Sequence, residues 1–124
     1  MRFTLKFELA AADVARATAW YSDVLGLEPV DRDGEQRVYR VDGTVFGIYP
    51  SANAGSNKGT SARLVVDDFD ATRAELLAKG VAFEDYDLGP DFRTVNGVLT
   101  SPDGERTSWF KDSEGNILAL GSSL

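Results

Sequence analysis

The sequence predicts an α+β domain built from two βαβββ units, and three observations carry that prediction. The order strand, helix, three strands occurs twice along the chain. Two helices, each opened by aspartate and closed by glycine, occupy equivalent places in the two halves, and a stretch with almost nothing to bury lies between the halves. At 124 residues the chain is sized for a single domain, burying about two-thirds of the surface it exposes when unfolded. Neither half could bury a sheet face alone, so the two are expected to pair into one curved mixed sheet around a cleft, with the helices outside.

Taken in order, Phe3, Leu5, Phe7 and Leu9 alternate with Arg2, Thr4, Lys6 and Glu8, the period-2 pattern of a strand with one apolar face. Asp13 can cap the helix that follows, in which Val14, Ala17, Thr18, Tyr21, Val24 and Leu25 recur at helical spacing until Gly26. Short strands near 27–32, 36–41 and 44–49 are joined at Asp33-Gly34 and Asp42-Gly43, strong hairpin signals. Residues 1–49 form the first unit, 50–60 a linker, and 61–124 the second unit. Ala62, Leu64 and Val66 alternate with Ser61, Arg63 and Val65, and Asp67-Asp68 open a helix carrying Phe69, Thr72, Leu76 and Leu77 that ends at Gly80. A short strand near 81–87 follows, and beyond it three strands near 93–100, 106–111 and 116–121, with turns at Asp103-Gly104 and Glu114-Gly115, complete the unit. Glu84, Asp85, Asp87 and Asp91 around Tyr86 read as a charged edge strand or as a lip that draws in cations.

Composition excludes several function classes. Twenty Asp and Glu against 13 Lys and Arg leave a net charge of −7, which opposes nucleic acid and anionic membrane surfaces and favours a cationic small ligand. With no Cys there are no thiol nucleophiles or disulfides, and with no His the commonest general base and transition-metal ligand are missing. No leader-like or membrane-spanning apolar run is present, and the expected location is cytoplasmic.

Three segments bring a family into view: Asp13-Val-Ala-Arg-Ala-Thr-Ala-Trp-Tyr-Ser-Asp-Val-Leu-Gly-Leu27, Asp68-Phe-Asp-Ala-Thr-Arg-Ala-Glu-Leu-Leu-Ala-Lys-Gly-Val81 and Trp109-Phe-Lys-Asp-Ser-Glu-Gly-Asn-Ile-Leu118. They closely resemble the recurring segments of the vicinal oxygen chelate superfamily, which groups glyoxalases, bleomycin resistance proteins and extradiol dioxygenases. The resemblance implies one such domain and a homodimer. It also implies a site where the family's enzymes hold a divalent metal through two side chains from each half. Carried over by distance from the shared segments, those positions fall at Lys6, Gly47, Ser61 and Ala119. A cation and two residues without donor atoms make a poor ligand set, so no metal and no other cofactor is expected.

The odd-numbered apolar set of the first strand must face the helix, which leaves Thr4, Lys6 and Glu8 on the other face, as Ser61, Arg63 and Val65 are in the second half. Lys6, Glu8 and Arg63 then either orient a polar ligand, with Glu8 available as a base, or pair with one another across strands. Trp109, Tyr39 and Tyr49 are candidates for an aromatic wall against a flat or cationic ligand, whereas Trp20 and Tyr21 read as packing. Two functions follow. One is a metal-independent small-molecule binder similar to the drug-sequestering bleomycin resistance branch. The other is a glyoxalase-like lyase or isomerase acting on a small carbonyl compound, with Glu8 as base and Lys6 or Arg63 stabilising an enolate-like oxygen.

Overall fold

Both aspartates expected to open helices do so by the same contact. In the computed structural model, the Asp13 carboxylate accepts the Arg16 backbone N–H at 3.0 Å and starts α1 (Val14–Leu25), which Gly26 closes at φ +68°. Asp68 accepts the Ala71 N–H at 3.0 Å and starts α2 (Phe69–Ala78). The structure describes residues 1–122; residues 123 and 124, the end of the second unit as delimited from sequence, lie outside the described residues.

The strands are β1 (Phe7–Ala11), β2 (Asp31–Asp33), β3 (Gln36–Val41), β4 (Thr44–Pro50), β5 (Thr60–Val65), β6 (Leu99–Thr100), β7 (Arg106–Lys111) and β8 (Ile117–Gly121). Among the described residues they make two four-stranded mixed sheets, ordered β1-β4-β3-β2 and β5-β8-β7-β6, so strand, helix, three strands is observed twice. The first strand of each unit pairs in parallel with the last, and the other pairs are antiparallel. By contacts the described residues divide into one unit of residues 1–57 with 112–116 and a second of 58–111 with 117–122.

In the first unit α1 packs on β3 and β4, and Leu9, Ala11, Ala17, Tyr21, Tyr39 and Ile48 form the core. In the second, α2 packs on β8, and Phe69, Leu76, Phe110, Leu118 and Leu120 are buried. A separate cluster of Trp109, Ile117 and Ala119 is covered by Tyr86, Phe92 and Leu99.

Four expected strands differ, and the one expected near 27–32 is confined to Asp31–Asp33, which β3 pairs from Asp31–Val38 onward. The first begins at Phe7 and not at Phe3, because alternation marks which side chains share a face but a ladder also needs a partner, and β4 supplies one only from the Phe7–Phe46 pair onward. Residues 81–87 form no strand. There Thr94 Oγ1 accepts the Tyr86 N–H at 2.7 Å and donates to Asp85 Oδ1, which also accepts the Gly97 N–H, so side chains tie this segment where a ladder would. The strand expected over 93–100 shrinks to Leu99–Thr100 because Asn96-Gly97, at φ +52° and +75°, turns the chain inside it.

Candidate functional site

On the face of the first sheet turned away from α1, Glu8 lies opposite Gly47, and Gly47 opposite Val38. Leu9 and Ala11 occupy the α1 side, so Glu8, the residue before Leu9, must point the other way. There Lys6 Nζ lies 3.1 Å from Glu8 Oε1 and donates to Gln36 Oε1 at 3.1 Å, while Gln36 Nε2 donates to Glu8 Oε1 at 2.9 Å. This closed triangle rests on Gly47. A Cβ there would stand 2.8 Å from Lys6 Cε and 3.2 Å from Nζ, so the missing side chain is what lets the ammonium fold onto the sheet. Hydrogen bonding from Lys6, then from Gln36, holds the Glu8 carboxyl below the usual carboxylate range. Tyr49, half-buried and opposite Ala10, lies on the same face one alternation beyond Gly47.

In the second unit, Arg63, Ala119 and Trp109 stand side by side across β5, β8 and β7. Trp109 is 8% exposed, donates Nε1–H to Thr60 Oγ1 at 3.1 Å, and is flanked by Tyr86 at 5.7 Å and Phe92 at 5.6 Å. Arg63 donates to Thr107 Oγ1 at 2.9 Å, and its guanidinium fills the space that a Cβ on Gly121 would take. Ala119 is buried beside Trp109. Ser61 is the extra residue of a bulge between the Thr60–Ile117 and Ala62–Leu118 pairs, so simple alternation does not align it with Arg63.

Tyr39 departs from the expected aromatic wall. Its ring is fully buried on the α1 side, stacked 4.8 Å from Phe46 and 6.0 Å from Tyr21. The two-residue Asp42-Gly43 turn pairs Val41 with Thr44 and hence Tyr39 with Phe46, opposite in face to Gly47 and Tyr49. Counting outward from that turn was the signal that could have placed it.

Sequence reasoning also missed a polar cluster in the first unit. Asp112 Oδ1 accepts the backbone N–H groups of Glu114 and Asn116, each at 2.9 Å. Asp112 Oδ2 accepts from Tyr21 OH at 2.7 Å and from Asn116 Nδ2 at 2.9 Å, and Asn116 Nδ2 also donates to Ala10 O at 2.8 Å. Burial, reinforced by Asp112, pushes the Tyr21 phenol well above its ordinary range. Glu114 accepts from Asp13 N at 2.9 Å, from Arg16 Nε at 2.9 Å and Nη2 at 3.0 Å, and from Ser113 OH at 2.8 Å. Chiefly through the Arg16 bonds, its carboxyl is drawn down to about 2. These carboxylates are saturated by protein donors and serve as structural locks.

Lys6, Gly47, Ser61 and Ala119, the positions to which the resemblance carries the family's metal ligands, do not fit a divalent ion. Lys6 places an ammonium over Gly47, and neither Gly47 nor Ala119 has a side-chain donor. Among the described residues no three Asp or Glu side chains converge as a metal site would require, and no helix is long and apolar enough to cross a membrane.

The sequence model of the Glyoxalase/Bleomycin resistance protein/Dioxygenase superfamily matches residues 5–120. No curated protein matches the chain significantly. Among solved structures, the chain is similar to a glyoxalase/bleomycin resistance protein from Catenulispora acidiphila, with 25% identity, TM-score 0.66 and 97% of each chain covered. It is also similar to a lactoylglutathione lyase from Agrobacterium tumefaciens, with 18% identity, TM-score 0.71, and 96% of this chain and 92% of that one covered. A third is the fosfomycin resistance protein FosX of Listeria monocytogenes, solved as an E126Q mutant with Mn(II) and 1S,2S-dihydroxypropylphosphonic acid; it has 17% identity and TM-score 0.68, and the match covers 100% and 93% of the chains.

Proposed function

The chain belongs to the glyoxalase/bleomycin resistance protein/dioxygenase superfamily, the vicinal oxygen chelate group its repeated segments resemble, and from that premise we propose that it is a metal-independent binder of a small organic molecule, akin to the drug-sequestering branch. One observation carries this reading: the Lys6 ammonium lies over Gly47, and the resemblance carries two of the metal positions of the family's enzymes onto these residues. A cation there repels a divalent ion and leaves Lys6, Gln36 and Glu8 as hydrogen-bonding groups beside the half-buried Tyr49 ring. The Lys6 and Gln36 bonds lower the proton affinity of Glu8, which favours a binder over a lyase that uses Glu8 as its base. The net charge of −7 favours approach of a cation.

The test is titration of EDTA-treated protein with bleomycin and with a panel of smaller aromatic cations, followed by mass spectrometry of the recovered ligand. Saturable binding without metal and an unchanged ligand mass are expected, with Lys6→Ala weakening affinity by about five-fold or more. Binding that vanishes with EDTA, or conversion of the ligand, would overturn the reading.

A further inference from the structure

In the second unit, the turn at Asn96-Gly97 is held from three sides. Arg73 of α2 donates Nη2–H to Asn96 O at 2.6 Å, the buried Ser108 hydroxyl of β7 donates to Gly97 O at 2.6 Å, and the Gly97 N–H donates to Asp85 Oδ1 at 2.7 Å. Val95 and Val98 exchange backbone bonds across the two turn residues, which sit at φ +52° and +75°. The turn dictates both residue types. Asparagine tolerates the left-handed region, and position 97 takes glycine because a Cβ there would stand 3.0 Å from Phe83 Cβ and 3.1 Å from Arg73 Nη2. The same pair carries a latent reactivity, since a glycine after asparagine puts no side chain between its own nitrogen and the asparagine carboxamide. It is the sequence's single Asn-Gly pair, and Asn96 is exposed to water.

We propose that Asn96 is a spontaneous deamidation site whose rate the Asp85 carboxylate restrains, and that its conversion to isoaspartate frees the segment packed on Trp109. The Gly97 nitrogen loses its proton to solvent and attacks Asn96 Cγ. The N–Cγ bond forms, the Cγ–Nδ2 bond breaks, and the amide nitrogen takes a proton from solvent and leaves as ammonia. Water then opens the cyclic imide: addition at Cγ leaves an ordinary aspartate, and addition at the backbone carbonyl carbon leaves isoaspartate, whose main chain is longer by a carbon. Asp85 opposes the first step. Its hydrogen bond favours the protonated nitrogen, and a deprotonated nitrogen would face a carboxylate oxygen at 2.7 Å. The Thr94 hydroxyl bond, then the Gly97 N–H bond, hold the Asp85 carboxyl below its usual range and so keep it charged. In isoaspartate the lengthened backbone pulls the carbonyls off Arg73 and Ser108, and the new carboxylate repels Asp85. The Thr94 hydroxyl, which ties Asp85 to the Tyr86 N–H, goes with them, and the Tyr86 ring 5.7 Å from Trp109 loses its tether.

The experiment ages the full chain at mildly alkaline pH beside Asp85→Ala, Asp85→Asn and Thr94→Val. Peptide mass spectrometry locates deamidation, and isoaspartyl methyltransferase labelling counts isoaspartate. Asp85→Ala is expected to deamidate at Asn96 about ten-fold faster or more than the unmodified chain, the effect of losing a charge-assisted hydrogen bond. Asp85→Asn keeps an acceptor oxygen without the charge and is expected to fall between the two, which preserves the comparison should the alanine variant fold poorly. Thr94→Val loosens the same segment but leaves the Asp85–Gly97 bond in place, and is expected to stay close to the unmodified rate. In the isoaspartate fraction of the aged chain, the Tyr86 and Thr94 amides are expected to exchange hydrogen faster than in the unaged chain. Equal rates in the unmodified chain and both Asp85 variants, or Thr94→Val as fast as Asp85→Ala, would overturn the restraint by Asp85. Unchanged exchange at Tyr86 and Thr94 would overturn the release of the segment.

Discussion

Asp112→Ala is expected to be among the most destabilising single changes in this chain, lowering the unfolding free energy by about 3–5 kcal/mol. The carboxylate accepts four bonds, from two backbone N–H groups, the Tyr21 phenol and the Asn116 amide, and the residue is 6% exposed. Removing it strands four donors in a region that water reaches poorly, and each costs desolvation without return. The damage extends beyond the turn, since Tyr21 belongs to the core of α1 and Asn116 also holds the β1 carbonyl of Ala10. Asp112→Asn keeps one acceptor oxygen and is expected to lose less. Urea unfolding of the three proteins checks this: the Ala variant should show a much lower midpoint with an unchanged slope. A loss within 0.5 kcal/mol or so would mean the cluster is not a lock.

Glu114→Gln is expected to cost about 2–3 kcal/mol at neutral pH, and the cost should fade in acid. The Glu114 side chain is 1% exposed and its folded carboxyl is drawn from 4.5 to about 2, mainly by Arg16. A carboxyl depressed by folding contributes stability that is fully present above 4.5 and is lost as pH falls through 4.5 toward 2. The shift alone corresponds to about 3 kcal/mol; Arg16 is half-exposed, and solvent around it trims that figure. Unfolding free energies of the unmodified and Gln chains at pH 7 and pH 3 are the check, with the gap expected to shrink by more than half at the lower pH. An equal gap at both would remove the Arg16 pairing from the stability of the first unit.

Local signals and long-range ones were not equally legible in this sequence. Asp13, Asp68 and Gly26 act on groups within about one helical turn, and the helices they bound lie where the spacing put them. Asp42-Gly43 likewise joins β3 to β4. Segment 81–97 misled because its carboxylates crowd around Tyr86 as on a charged edge strand, whereas the bonds that hold it run through the Thr94 hydroxyl and Asp85. The Glu114 lock was hidden by distance along the chain: its contact with Asp13 spans 101 residues, and the composition of a turn carries no sign of so remote a donor. Parity placed Lys6 and Glu8 on one face, whereas Gly47 was singled out only through the family resemblance. That the Lys6 side chain lies back over Gly47 depends on a cross-strand register, and Tyr39, chosen for its ring without a register, falls on the other side of its sheet.

In the proposed function, Lys6 and Gly47 replace metal chemistry with direct ligand recognition. It is tested most directly by incubating the EDTA-stripped protein separately with excess Zn²⁺, Mn²⁺, Ni²⁺ and Fe²⁺, desalting, and measuring metal per chain by elemental mass spectrometry. Retention far below one ion per chain for all four metals is the predicted result. Stoichiometric retention of any one of them, surviving desalting, would contradict the account, because a bound divalent ion requires a donor set that Lys6, Gly47 and Ala119 do not provide.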